Sequence, residues 1–156
     1  MKVSIAVEDS AWAAVPGLEE LTHSAVAAAL AGARADAADS ETVVLFTDDI
    51  AMAGLNAEWR GKNSPTNVLS FPSAPDMIIP EGQPRPLGDI VLASGVVARE
   101  AQEQGKTLSD HTLHLIVHGV LHLLGHDHMD DIEANAMERL ETDILKGLGV
   151  PDPYER

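Results

Sequence analysis

The chain has 156 residues, 45% hydrophobic and 22% charged, the proportions of one globular domain with a real hydrophobic core. It has no cysteine, which excludes a disulfide framework. Its formal charge of −15 excludes a broad basic face for sequence-independent nucleic-acid binding, while leaving room for a small local one. No apolar run approaches membrane-spanning length, and Met1-Lys2-Val3-Ser4-Ile5 lacks a signal-peptide pattern, so a cytoplasmic protein with no membrane attachment is expected.

Taken in order, Val3 to Val7 alternates apolar with small or polar residues and predicts a strand. Leu18 to Ala33 is Ala-rich and helical, and Thr42 to Thr47 is a compact β-branched run that predicts a buried strand. Asp48 and Asp49 cap a helix that runs to Trp59 or Arg60, with Gly61 as its stop. Val68 to Phe71 and Asp89 to Leu92 predict two short strands, and the five prolines from Pro72 to Pro86 predict a loop between them. Ser94 to Gln104 is helical. A His-rich helix follows from Leu108 to Leu124, with Ser109 and Asp110 as its start signals, and an acidic amphipathic helix spans about Asp131 to Leu148. There is no repeat and no linker, so residues 1–156 are expected to form a single domain. Strands and helices mix without strict βαβ alternation, which predicts an α+β fold with a small mixed sheet of about four strands packed by about five helices.

Six of the seven histidines lie between residues 111 and 128. The stretch His118-Gly119-Val120-Leu121-His122-Leu123-Leu124-Gly125-His126-Asp127-His128 reads as H-x-x-x-H-x-x-G-x-x-H, a zincin-like metal frame. On a helix, His118 and His122 share one face, where two imidazoles reach one ion at about 2.0–2.1 Å. His114 stands roughly 12 Å along the axis from His122, too far to share that ion. A third ligand must come from chain that has left the helix and turned back at Gly125, which leaves His126 and His128. The metzincin frame favours His128. Three neutral imidazoles leave a fourth position open, as in a catalytic zinc, and a structural zinc normally recruits Cys, of which there is none. Gly119 stands where a metalloprotease carries its general-base Glu, which argues against peptide-bond cleavage.

A second constellation runs from Leu55 to Pro72. Arg60 and Lys62 are two of only ten basic residues. A guanidinium fork beside a metal suits a phosphodiester, whereas cations at a helix C-terminus can also do no more than complement its dipole. Spacing alone leaves both readings open.

The His frame, the Leu55–Pro72 segment, Leu87-Gly88-Asp89-Ile90-Val91 and the C-terminal Gly149-Val150-Pro151-Asp152-Pro153-Tyr154 together resemble the YbeY family, over most of the chain from about residue 40. The resemblance implies a single-strand-specific metallo-endoribonuclease of 16S rRNA 3′-end maturation and ribosome quality control. Its implied partners are single-stranded rRNA, the small ribosomal subunit and the basic proteins of that subunit. It further implies one Zn(2+) per chain held by His118, His122 and His128, and a functional arginine at Arg60; on the anion-site reading Lys62 joins Arg60 on the substrate. Two positions depart from the family pattern: His126 replaces the usual Tyr, and Asn67 replaces the common Asp. His126 then becomes a candidate for proton transfer, ahead of Asp127 and His114. The rival expectations are a zinc hydrolase of another substrate class and a non-catalytic ribosome-assembly factor whose zinc is structural.

Overall fold

The computed structural model describes residues 1–74, 77–126 and 130–154. In chain order it contains β1 (Lys2–Val7), α1 (Leu18–Gly32), β2 (Ser40–Thr47), α2 (Asp49–Arg60), β3 (Val68–Pro72), β4 (Arg85–Ala93), α3 (Ser94–Glu103), α4 (Leu108–Leu123) and α5 (Asp131–Gly147). The strands form one mixed sheet in the order β1-β2-β4-β3, with β1 and β4 parallel to β2 and β3 antiparallel to β4. The α+β expectation, with its strand and helix numbers, is what the described residues show.

Alternation along the strands sorts the core into two layers. Val44, Phe46, Ile90 and Leu92 face one way, into the main core with Ala25, Val26 and Ala29 of α1, Ile116, Val120 and Leu121 of α4, and Ile144 and Leu145 of α5. Leu45, Val91, Leu69 and Phe71 face the other way and pack with Met52 and Leu55 of α2 and Val96 of α3. Ala25 and Ala29 lie on the buried face of α1, and α1 packs against α4.

Three local features differ from expectation. A turn of 3-10 helix, Ser10–Ala14, was not foreseen; it buries Trp12 edge-on to Phe46 at 4.9 Å, with the indole N–H donating to Thr47 O at 2.9 Å. β4 begins at Arg85, inside the Pro-rich stretch expected to be loop. Pairing with β3 reaches only from Gly88 to Leu92, so Pro86 sits where β4 has a neighbour on one side alone, a place where proline is tolerated. The cap of α4 is Thr107 rather than Ser109 or Asp110: its hydroxyl accepts from Asp110 N at 3.0 Å.

α4 is buried on almost every side and lies close over the sheet. Gly119 makes that approach possible. A Cβ there would stand 3.0 Å from Ile90 Cγ2 and 3.2 Å from Ser70 Oγ, and Ser70 Oγ donates to Gly119 O at 3.1 Å. The small residue at 119 is thus a packing requirement between helix and sheet as well as the absence of a protease base. Gly119→Glu should therefore lower the unfolding free energy by about 1–3 kcal/mol or more, measured by urea denaturation, and add no casein hydrolysis. An unchanged midpoint together with new peptidase activity would contradict this account.

Candidate metal centre and its cleft

The cleft is assembled from two stretches far apart in sequence. The last turn of α2 supplies Arg60, and Gly61 ends the helix in a left-handed conformation. Asn56, buried on α2, donates from Nδ2 to Ser64 O at 2.8 Å and holds the following loop against the helix. The loop then enters β3 through Asn67, whose Oδ1 accepts from Val68 N at 2.6 Å and whose carbonyl accepts from Ala93 N at 3.0 Å. Across β3 runs α4 with its histidines. The result is a cleft of about 330 Å³ lined by Arg60, Thr66, Asn67, Val68, Leu69, Ser70, His118 and His122.

The His118 and His122 rings lie 4.7 Å apart between centroids, as two side chains one helical turn apart should. His118 Nδ1 donates to Glu141 Oε1 at 2.5 Å, so a metal ion on this ring would be held by Nε2. Glu141 is 0% exposed and also accepts from His114 Nε2 at 3.0 Å and from the Tyr154 hydroxyl. Burial alone would raise its pKa. The hydrogen bonds from His114 and His118, the charge of His118 and the bond from Tyr154 outweigh burial and hold the carboxyl at about 2. The same carboxylate, with burial as the larger cause, pushes the Tyr154 phenol well above its ordinary range. The donor set therefore fits a divalent ion: imidazoles at i and i+4, one of them oriented by an ionised carboxylate. Among the described residues no three such side chains form a metal-holding group, and the third expected ligand, His128, lies outside those residues. The described chain does turn away at the expected place. Gly125 has φ 97°, and His126 N donates to Leu121 O at 3.0 Å, as where a helix ends on a left-handed glycine.

The remaining candidates are placed as follows. His126 is half-buried, and the described lining of the cleft does not include it. Lys62 is exposed just past the end of α2, also outside that lining. His114, 8% exposed, points to Glu141 and lines a neighbouring cleft with His111, Lys106 and Tyr154. Asp127 lies outside the described residues. Asn67 has its own explanation: Nδ2 donates at 3.0 Å to Glu100 Oε1, which also takes His111 Nε2 at 2.9 Å, so an Asp here would set two carboxylates against each other.

Two participants were missed in the sequence. Glu141 was absorbed into an acidic amphipathic helix, although it falls within the apolar stripe Met137, Ile144, Leu145 of α5, and an acid in such a stripe signals a buried partner. Tyr154 is the only tyrosine of the chain, and nothing local marks it as a donor to that acid.

The second polar arm makes a pH prediction. His111 is 3% exposed, and burial, opposed by its bond to Glu100, holds its pKa below the ordinary 6.5. The unfolded chain then binds more protons below that value, so stability falls as pH drops through 6.5. Urea midpoints of wild type and His111→Gln should run parallel above 6.5, where the wild-type advantage is full, and converge as pH falls through 6.5 toward the lowered folded-state pKa. Curves parallel at every pH would remove His111 as the cause.

Comparison with known proteins closes the assignment of lineage. A family model described as Endoribonuclease YbeY matches residues 5–149. A Chelativorans protein named Endoribonuclease YbeY is 50% identical over 97% of this chain and 92% of its own, and an Azorhizobium caulinodans protein of the same name is 47% identical over 99% and 96%. A Thermotoga maritima protein solved in solution shares the fold at TM-score 0.57 and 21% identity, covering 99% of both chains. The chain belongs to the YbeY endoribonuclease family.

Proposed function

We propose that this chain is a zinc-dependent endoribonuclease of single-stranded RNA, with one ion held by His118, His122 and His128, acting in 16S rRNA 3′-end maturation and ribosome quality control. The observation that carries this reading is the make-up of the cleft. In a chain of charge −15, its described lining holds one guanidinium, two imidazoles, two hydroxyls and an amide, with no carboxylate. A phosphodiester enters without fixed negative charge against it.

When bound, zinc supplies Lewis acidity and brings the pKa of water toward ~7, a source of nucleophile that needs no side-chain base at position 119. The protein's own groups do the rest. Arg60 binds the non-bridging phosphate oxygens and offsets charge that grows toward the transition state. Glu141 fixes His118 in one tautomer and one orientation. Ser70, bonded to the backbone of α4, keeps the floor of the cleft registered to the histidine face. The family names of the Chelativorans and Azorhizobium relatives support the same reaction class. The acidic surface favours contacts with basic proteins of the small subunit, which would deliver substrate by docking rather than by bulk attraction of RNA.

Protein purified without an affinity tag should carry about one zinc per chain by elemental analysis, and His118→Ala should lose metal and RNA cleavage together. Arg60→Ala should keep its metal and lose cleavage by about 10²–10³-fold; wild-type rates would remove the phosphate role. Glu141→Gln should bind zinc about 10–100-fold more weakly, read by chelator competition, and an unchanged affinity would leave the carboxylate without its orienting role. Cleavage seen on small subunits alone and not on naked RNA supports delivery by docking. Absence on both would favour a non-catalytic assembly factor.

A further inference from the structure

On the opposite face of β3 from the histidines lies a second cleft, of about 640 Å³. β3 is an edge strand, paired only to β4. Ser70 reaches across it to α4, while Phe71 packs with the α2 side. Ser70 lines both clefts, so at this residue only the edge strand separates them. The last turn of α2 divides in the same way: Arg60 lines the histidine cleft, and its neighbour Trp59 lines the other.

Trp59 is 64% exposed, with its ring 5.9 Å from Phe71 at 61°. Around them stand Val43, Leu45, Leu55 and Pro72. Nothing in the fold requires an indole in solvent there, and Val43 on β2 is exposed beside it, because α2 leaves this end of the sheet face uncovered. Among the described residues, the only charged group in the lining is Asp89. A carboxylate repels phosphate, so the sugar–phosphate chain is held on the Arg60 side, and the aromatic cleft takes an uncharged, flat group. An unpaired base attached to a phosphate at Arg60 meets both conditions. It stacks on aromatic rings whatever its identity, since every base has a π-face, and its exocyclic amine, where present, finds an acceptor in Asp89.

We propose that Trp59 and Phe71 form a nucleobase-stacking subsite, in which an unpaired base flanking the bond to be cut is held across the edge of β3 from the histidine pair. This rests on the endoribonuclease reading above and adds to it a source of single-strand preference: a paired base is already stacked within its helix and is not free to cross the strand.

The test uses the zinc-loaded full chain. Trp12, 2% exposed and bonded to Thr47, gives a constant emission background, so a change in fluorescence reports Trp59. Wild type is titrated with a single-stranded RNA oligomer and with an abasic ribose–phosphate strand of equal length, and RNA cleavage is followed in parallel. Expected are quenching by the base-bearing strand and an affinity roughly tenfold above that for the abasic strand. Trp59→Ala should lose that advantage and raise KM for cleavage, with zinc content and the Trp12 emission unchanged, and Trp59→Phe should retain most of it. If wild type cleaves RNA but treats the two strands alike, the subsite is overturned and the endoribonuclease reading stands. If wild type neither binds nor cleaves RNA, that reading fails and takes the subsite with it. If Trp59→Ala handles RNA as wild type does but loses association with the small subunit, the cleft is a protein contact and the nucleobase assignment is overturned.

Discussion

One fully buried carboxylate organises the centre of this molecule. Glu141 reaches from α5 into the polar stripe of α4 and accepts from His114, His118 and the Tyr154 hydroxyl at once. Taking an isolated carboxylate out of water is costly, and only a full set of donors makes it tolerable. Once that set is present, the cost of losing any member keeps α4, α5 and the C-terminal segment in register. The polar stripe of α4 is therefore both a structural seam and the back wall of the cleft. His118 belongs to both: its Nδ1 serves the seam, and its side chain lines the cleft.

The second constraint is the closeness of α4 to the sheet. Gly119 lets the helix backbone come within hydrogen-bond reach of Ser70 on β3. This brings the edge strand, and with it the loop from Arg60 to Asn67, against the histidine face. Local charge then departs from global charge. The chain is strongly acidic, yet among the described residues two carboxylates beside this face are engaged inward: Glu141 on His114, His118 and Tyr154, and Glu100 on Asn67 and His111. Arg60 meets no described carboxylate in the lining of its cleft. Electrostatic selectivity here comes from which acids are engaged elsewhere, and net charge does not reveal it.

Much of the fold could be read along the chain wherever local signals agree. Asp48 before α2 and Gly61 after it, the turn at Gly125, and the β-branched run of β2 all acted where their chemistry implied. Legibility failed where a long-range partner overrode the local signal. β4 extends into a Pro-rich stretch because parallel pairing with β2 holds it there. The Ser10–Ala14 turn forms because Trp12 has a slot against Phe46 and Thr47. Glu141 looked like one more acid on an acidic helix, and its two histidine partners are separated from it by 23 and 27 residues of sequence.

What the sequence determined by itself is what spacing determines. Two histidines one helical turn apart, followed by a glycine that permits reversal, specify a shared imidazole face through the periodicity of the helix alone. Tertiary structure decided everything that depends on distance between segments remote in the chain: that Arg60 shares a cleft with that face, that Glu141 orients His118, that Asn67 rather than Asp suits the neighbour of Glu100, and that Trp59 stands across the strand from the histidines. The reason is physical. Periodicity acts over a few residues of backbone, whereas desolvation and charge pairing act between groups brought together only when the core closes.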